Sequence, residues 1–214
     1  MSTTPVRSFT AWNKNPNPEE IRKDSLEPSS HPDLSGWQLV SVLNKLWKRN
    51  IMVLILMGPM GCGKTTIGKM LAEKLGWSFY DGDDFHPQKN VEKMRAGIAL
   101  TDEDRKAWLE KLHSNIQLWL KDKKNSVLAC SALKQAYREL LGVNQNTVKT
   151  VYLKGSYELL RARIEERQHP YMDKNLLRSQ LDALEEPKDG LTVDISATPK
   201  IVVRVIMDRL NLTP

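Results

Sequence analysis

The octapeptide Gly58-Pro59-Met60-Gly61-Cys62-Gly63-Lys64-Thr65 constrains this chain more than any other feature. It fits the pattern GxxxxGK[ST] in full. An uninterrupted, branched apolar run at 51–57 precedes it, and a helix-forming run at 65–75, stopped by Gly76, follows. A buried strand that opens into a glycine-rich loop and then a helix start is built to hold phosphate. Glycines let the backbone curl so that successive N–H groups face phosphate oxygens, and the helix end adds partial positive charge. The reading makes Gly58, Pro59, Met60, Gly61, Cys62, Gly63, Lys64, Thr65 and Thr66 the nucleotide cradle. Lys64 is placed on the outer phosphates and the Thr65 hydroxyl on Mg²⁺. Cys62 is either a thiol sensitised by the helix start or a small filler.

The rest of the chain repeats the strand-then-helix alternation. Strands are expected at 77–81, 126–130, 148–154 and 191–194, and helices from 101 onward, at 133–141, at 156–167 and from 199 onward. Thr101 with Asp104 forms a capping box, and Trp108, Leu112, Ile116 and Trp119 recur on one helix face. Thr198 caps the last helix with Pro199 at its first position. Such alternation predicts a three-layer α/β P-loop NTPase fold, with a parallel five-stranded sheet flanked by helices. Residues 1–37, with five prolines among polar residues, are expected to be a disordered tail, and 38–49 an amphipathic helix carrying Leu39, Leu43, Leu46 and Trp47. The kinase-sized domain is then 50–214. The first 18 residues hold Arg7 and Lys14 and no acid, like a transit peptide, but their prolines oppose the helix such a peptide needs.

The net charge of +6 suits anionic substrates. Basic residues are interspersed with acidic ones, which argues against a nucleic-acid surface. The longest apolar run is too short to cross a bilayer. Cys62 and Cys130 make neither a disulfide framework nor a zinc site, so a reducing, cytoplasmic setting is expected.

The third strand ends in Ala129-Cys130-Ser131, without the Asp that commonly contacts the metal in such proteins. The second ends in Asp81-Gly82-Asp83-Asp84, at the sheet edge where ligands bind in parallel α/β folds. Asp81 is read as the metal-side carboxylate. Asp83 is read as the residue that accepts the proton of an attacking hydroxyl and touches the substrate. His86, two residues beyond this turn, joins the substrate side. Arg163 and Arg167, four apart on a helix, are placed as catalytic cations for the transferring phosphoryl group.

Together, GPMGCGKTTIGKMLAEKLGWSFYDGDDFHP (58–87), NVEKMRAGIALTDEDRKAWL (90–109), ACSALKQAYRELL (129–141), YLKGS (152–156), LLRSQLDALEEP (176–187) and TVDIS (192–196) resemble the gluconokinase family. That resemblance implies transfer of the ATP γ-phosphate to the terminal hydroxyl of D-gluconate, giving 6-phosphogluconate for the pentose phosphate pathway. It also implies a small, mobile helical lid at about 164–180, a small-molecule substrate, no nucleic-acid or membrane partner, and frequently a homodimer. On matching positions it points to Asp83, His86, Arg105, Lys134 and Arg138 as the gluconate pocket. In the lid the family pattern RxxxRxGHFM meets Arg163 to Met172 with His169 in place of Gly and Pro170 in place of His. Three other readings stay open: a shikimate-type kinase of another hydroxy acid, a nucleotide-dependent ATPase or switch, and an inactive relative with an altered lid.

Overall fold

The branched run that precedes the glycine loop becomes the middle of a parallel sheet in the computed structural model, which describes residues 51–166 and 174–213. Strand β1 (Val53–Met57) is buried at every position. It is followed by helix α1 (Lys64–Leu75), strand β2 (Ser78–Asp81), a 3₁₀ turn (Gly82–Phe85), helices α2 (Gln88–Arg95) and α3 (Asp102–Lys121), and strand β3 (Ser126–Ala129). Helix α4 (Gln135–Leu140), strand β4 (Val148–Lys154), helices α5 (Tyr157–Glu166) and α6 (Lys174–Asp182), strand β5 (Leu191–Asp194) and helix α7 (Pro199–Leu210) complete it. The sheet order is β2-β3-β1-β4-β5, with every pair parallel.

Period-two alternation along β1 divides its side chains between two cores. Val53, Ile55 and Met57 pack with Trp108, Leu112, Ile116 and Trp119 of α3, the face expected from helical spacing. Leu54 and Leu56 pack with Ile67 and Leu71 of α1 and with Val202, Val203 and Ile206 of α7. Helices therefore cover both faces, and all five strands carry their C-terminal ends to one edge. The P-loop leaves β1 at that edge and the acidic turn leaves β2 there.

The capping box forms as expected: Thr101 accepts from the Asp104 backbone, and the Asp104 carboxylate accepts from that of Thr101. Asp104 also takes both of its oxygens to Lys93 Nζ at 2.8 Å, tying α2 to α3. The last helix begins at Pro199 after an extended Thr198, whose hydroxyl makes no capping bond. Helix α4 starts two residues later than the apolar pattern suggested, because Leu133 turns its carbonyl to Glu185 N–H and the Arg138 guanidinium. The 3₁₀ turn and α2 were not anticipated. The proposed tail, the 38–49 helix, Arg167, His169 and Pro170 lie outside the described residues.

The Asp104 contacts carry a pH signature. Hydrogen bonds from Lys93, then from the Thr101 backbone, hold its carboxyl below the ordinary 3.8, at about 2. A carboxylate depressed in the folded state contributes stability above its unfolded pKa and loses it as pH falls through the folded value. The stability difference between wild type and Asp104→Asn is therefore expected to be constant near neutrality and to shrink from about pH 4 toward pH 2, as read by denaturant midpoints. A difference independent of pH would contradict this linkage.

Candidate active site

Left-handed backbone at Gly61 (φ 80°) and Gly63 (φ 91°) turns the loop inward before α1. A Cβ on Gly61 would also lie 2.9 Å from the Leu160 carbonyl, so the loop's curl requires glycine there. The first turn of α1 offers N–H groups with no intrahelical acceptor. Lys64 Nζ folds along the loop onto the carbonyls of Gly58 (2.9 Å) and Pro59 (3.1 Å). Met60 N–H donates to Gln180 Oε1 at 2.7 Å, so α6 reaches the P-loop directly.

The acidic turn meets the loop at Thr65, whose hydroxyl donates to Asp81 Oδ2 at 2.9 Å. The other Asp81 oxygen accepts from Asp83 N–H at 3.2 Å and caps the 3₁₀ turn. Gly82 separates the two acids for a steric reason. A Cβ there would sit 2.7 Å from the Ala129 carbonyl, and the Gly82 carbonyl receives Trp108 Nε1–H at 2.7 Å. Neither neighbour is free to move, because one is sheet backbone and the other a core indole. Gly82→Ala is expected to cost about 1–3 kcal/mol of folding stability and to lower turnover by displacing the flanking carboxylates. A denaturation midpoint and turnover equal to wild type would refute the close approach.

Lys64, Thr65, Asp81, Asp83, His86 and Arg105 line one cleft of about 360 Å³, with Met94, Ile98 and Leu100 supplying an apolar wall. Asp83 lies at its mouth, its side chain 83% exposed. The surrounding protein raises its pKa, the Lys64 charge opposes that, and Asp81 and Asp84 reinforce it. Open water screens these effects, so Asp83 remains ionised near neutrality as a somewhat stronger base than a free carboxylate. His86 stacks on Trp108 (centroids 4.2 Å apart), and its ring Nε2 is 4.0 Å from Asp83 Oδ1. Burial, then the Arg105 charge, lowers its pKa to about 4, so the ring is neutral at physiological pH.

Not every expected residue reaches this cleft. Lys134 Nζ is bound to both Asp102 oxygens (2.9 and 2.7 Å), an acid that also accepts from Tyr137 Oη. Arg138 does not line this cleft. Its guanidinium is buried against the Ala132 and Leu133 carbonyls, both at 3.0 Å, and Gln135 Oε1. Arg138 borders a different cavity of about 490 Å³, beside Lys149 and Thr150 at the start of β4, the sheet edge opposite the P-loop. That cavity shares none of the cleft's residues.

Arg163 likewise stands apart from Asp83. Its Nη2 donates to the Ile195 carbonyl at 2.8 Å, and it shares a second hollow beside the P-loop with Gly63, Thr66, Ala197 and Pro199. Sequence reasoning missed the 195–199 segment and Gln180 as site elements. The quoted segments TVDIS and LLRSQLDALEEP contain Ile195 and Gln180, but nothing in their patterning revealed these contacts.

A family model for shikimate kinase matches residues 60–199, from the P-loop to the first residue of α7. The chain is 39% identical over 177 residues to a probable gluconokinase of Xenopus tropicalis, covering 72% of this chain and 91% of that protein. The chain belongs to the gluconokinase family. It is also 39% identical to a gluconokinase of Arabidopsis thaliana (73% and 90% covered) and 42% identical to a thermosensitive gluconokinase of Escherichia coli K12 (66% and 78%). Among solved structures, a sugar kinase from Janibacter superposes with TM-score 0.70 at 33% identity, covering 77% of this chain and 96% of that one. A gluconokinase from Sinorhizobium meliloti superposes with TM-score 0.67 at 34% identity (76% and 95%). As a gluconokinase-family protein the chain is an ATP-using phosphotransferase with a small-molecule acceptor. Among the described residues, no helix is long and apolar enough to cross a membrane.

Proposed function

We propose that this protein transfers the γ-phosphoryl group of ATP to the terminal hydroxyl of D-gluconate. The observation that carries the reading is the single cleft holding Lys64 and Thr65 of the P-loop together with Asp83, His86 and Arg105. Phosphate-binding and acceptor-binding chemistry therefore share one space. Relatives named gluconokinase, about two fifths identical, support the choice of acceptor.

The roles assigned to these residues are supported by their positions around the cleft. The P-loop N–H groups and Lys64 bind the outer phosphates and gather the charge that develops on them. The Thr65 and Asp81 oxygens, 2.9 Å apart, are hard donors that fit Mg²⁺. Mg²⁺ keeps several waters and phosphate oxygens as ligands, so one or two protein oxygens suffice to hold it. When bound, Mg²⁺ would neutralise phosphate charge. Asp83 accepts the proton of the attacking hydroxyl, and Arg105 pairs with the sugar-acid carboxylate. His86, held neutral, hydrogen-bonds a substrate oxygen. Arg163, beside Pro199 and Ala197, fits the base side of the nucleotide better than the reacting phosphoryl group. Arg167 keeps its proposed place as a phosphoryl-neutralising cation. A cytoplasmic homodimer without nucleic-acid or membrane partners completes the reading.

An acceptor panel with ADP release as readout tests the proposal. D-gluconate should support turnover, and shikimate should not. Turnover with shikimate alone would transfer the reading to the reaction named by the family model. ATP hydrolysis indifferent to any acceptor would favour a nucleotide-dependent switch.

A further inference from the structure

Asn90 is the most deeply buried polar side chain near the cleft, with no exposed surface, yet its side-chain hydrogen bonds go to neither phosphate loop nor acidic turn. Its amide nitrogen donates to the Asp104 carbonyl at 2.8 Å and faces His86 Nδ1 at 3.4 Å. Its amide oxygen is buried without a partner. An orphaned acceptor in the interior is costly, and a purely structural position would be filled at less cost by an apolar side chain.

The two contacts fix the orientation of the amide. Turning it over would press Oδ1 against the Asp104 carbonyl, two acceptors at hydrogen-bonding distance. With the nitrogen held toward both neighbours, Asn90 only donates. His86 Nδ1 must then be the acceptor, and in a neutral imidazole the proton resides on Nε2. Nε2 is the atom on the Asp83 side of the ring. Trp108 of α3 stacks on the face of the ring. Of the charged groups around it, Arg105 of α3 disfavours protonation, whereas Asp83, 4.0 Å away and open to water, favours it weakly. The Asp104 carboxylate is already committed to Lys93 and Thr101.

We propose that Asn90 is a positioning residue that locks His86 as the neutral Nε2–H tautomer, so that the ring presents the cleft with an uncharged hydrogen-bond donor rather than a base. The inference deepens the gluconate reading and rests on it for the identity of the oxygen that receives the bond. It assigns proton acceptance to Asp83 and leaves His86 to orient the acceptor substrate. An uncharged donor serves a polyol: it binds a hydroxyl oxygen without adding a second cation that would compete with Arg105 for the carboxylate.

The test is imidazole ¹H–¹⁵N correlation spectroscopy on the full chain, with the His86 signals assigned by their loss in His86→Gln. The expected result is an unprotonated Nδ1 and a protonated Nε2 from about pH 5.5 to 8.5. An Nδ1–H tautomer, or a ring that titrates near its ordinary value, would overturn the proposal without any Asn90 variant. Asn90→Asp sets a carboxylate at Nδ1 and should bring the His86 titration up into that range. In that variant kcat/KM for gluconate should fall as pH drops through the new pKa, with KM for ATP unchanged. Asn90→Leu should cost about tenfold in kcat/KM at all pH values and mix the tautomers. An Asn90→Asp enzyme with the wild-type tautomer and pH profile would equally overturn it. Since the spectrum is recorded without substrate, failure of the gluconate assignment would leave this result standing or falling by itself.

Discussion

Lys64→Ala is expected to lower kcat for gluconate phosphorylation by about 10²–10³-fold or more while leaving the thermal unfolding curve close to wild type. The ammonium is the cation at the curl of the loop, held by the Gly58 and Pro59 carbonyls at the end of the cleft where the phosphates must lie. Its charge matters most when negative charge grows on the transferring group, so the loss should fall chiefly on kcat. Lys64→Arg should not rescue, because a planar guanidinium cannot replace a compact point charge inside so tight a turn. Steady-state kinetics of the two variants, beside circular-dichroism melts, check this. Turnover within about tenfold of wild type would mean that Lys64 is only a strut for the loop.

Asp83→Asn is expected to lower kcat by about 10²–10⁴-fold with little change in KM for ATP. The amide is isosteric and leaves the Asp83 N–H free to bond Asp81, so the turn should persist. What disappears is a carboxylate whose basicity the cleft walls and neighbouring acids raise. The sign follows from that raise. The base is active when ionised, so in wild type the acid limb of kcat/KM should lie above the ordinary carboxylate value of 3.8. Asp83→Asn should abolish that limb. Asp81→Asn should behave differently, with activity partly restored by added Mg²⁺, because its carboxylate is paired with Thr65 rather than aimed at the acceptor. Full turnover in Asp83→Asn would end the base assignment.

Local patterns made much of this legible. The strand before the glycine loop, the capping box at Thr101 and the apolar face of α3 each follow from residues a few positions apart, and each stands in the fold as read. The Thr65–Asp81 pair combines two such readings, because consecutive parallel strands deliver their following loops to one sheet edge. What escaped depends on distant neighbours. Helix α2 has only Val91 and Met94 as apolar residues, and is held through Asn90 and Lys93 by Asp104, more than ten positions away. Arg138 was read as an anion-binding cation. The left-handed turn at Ala132 (φ 42°) gathers carbonyls that its guanidinium satisfies. No short-range pattern announces a non-glycine residue with positive φ. The Gln180 contact with Met60 spans 120 positions and is invisible to any periodicity.

The most direct test of the central claim is formation of 6-phosphogluconate from ATP, Mg²⁺ and D-gluconate, followed as NADPH after adding 6-phosphogluconate dehydrogenase. The expected signal requires both ATP and D-gluconate and is lost in Lys64→Ala. A folded protein that binds ATP yet yields no 6-phosphogluconate would contradict it.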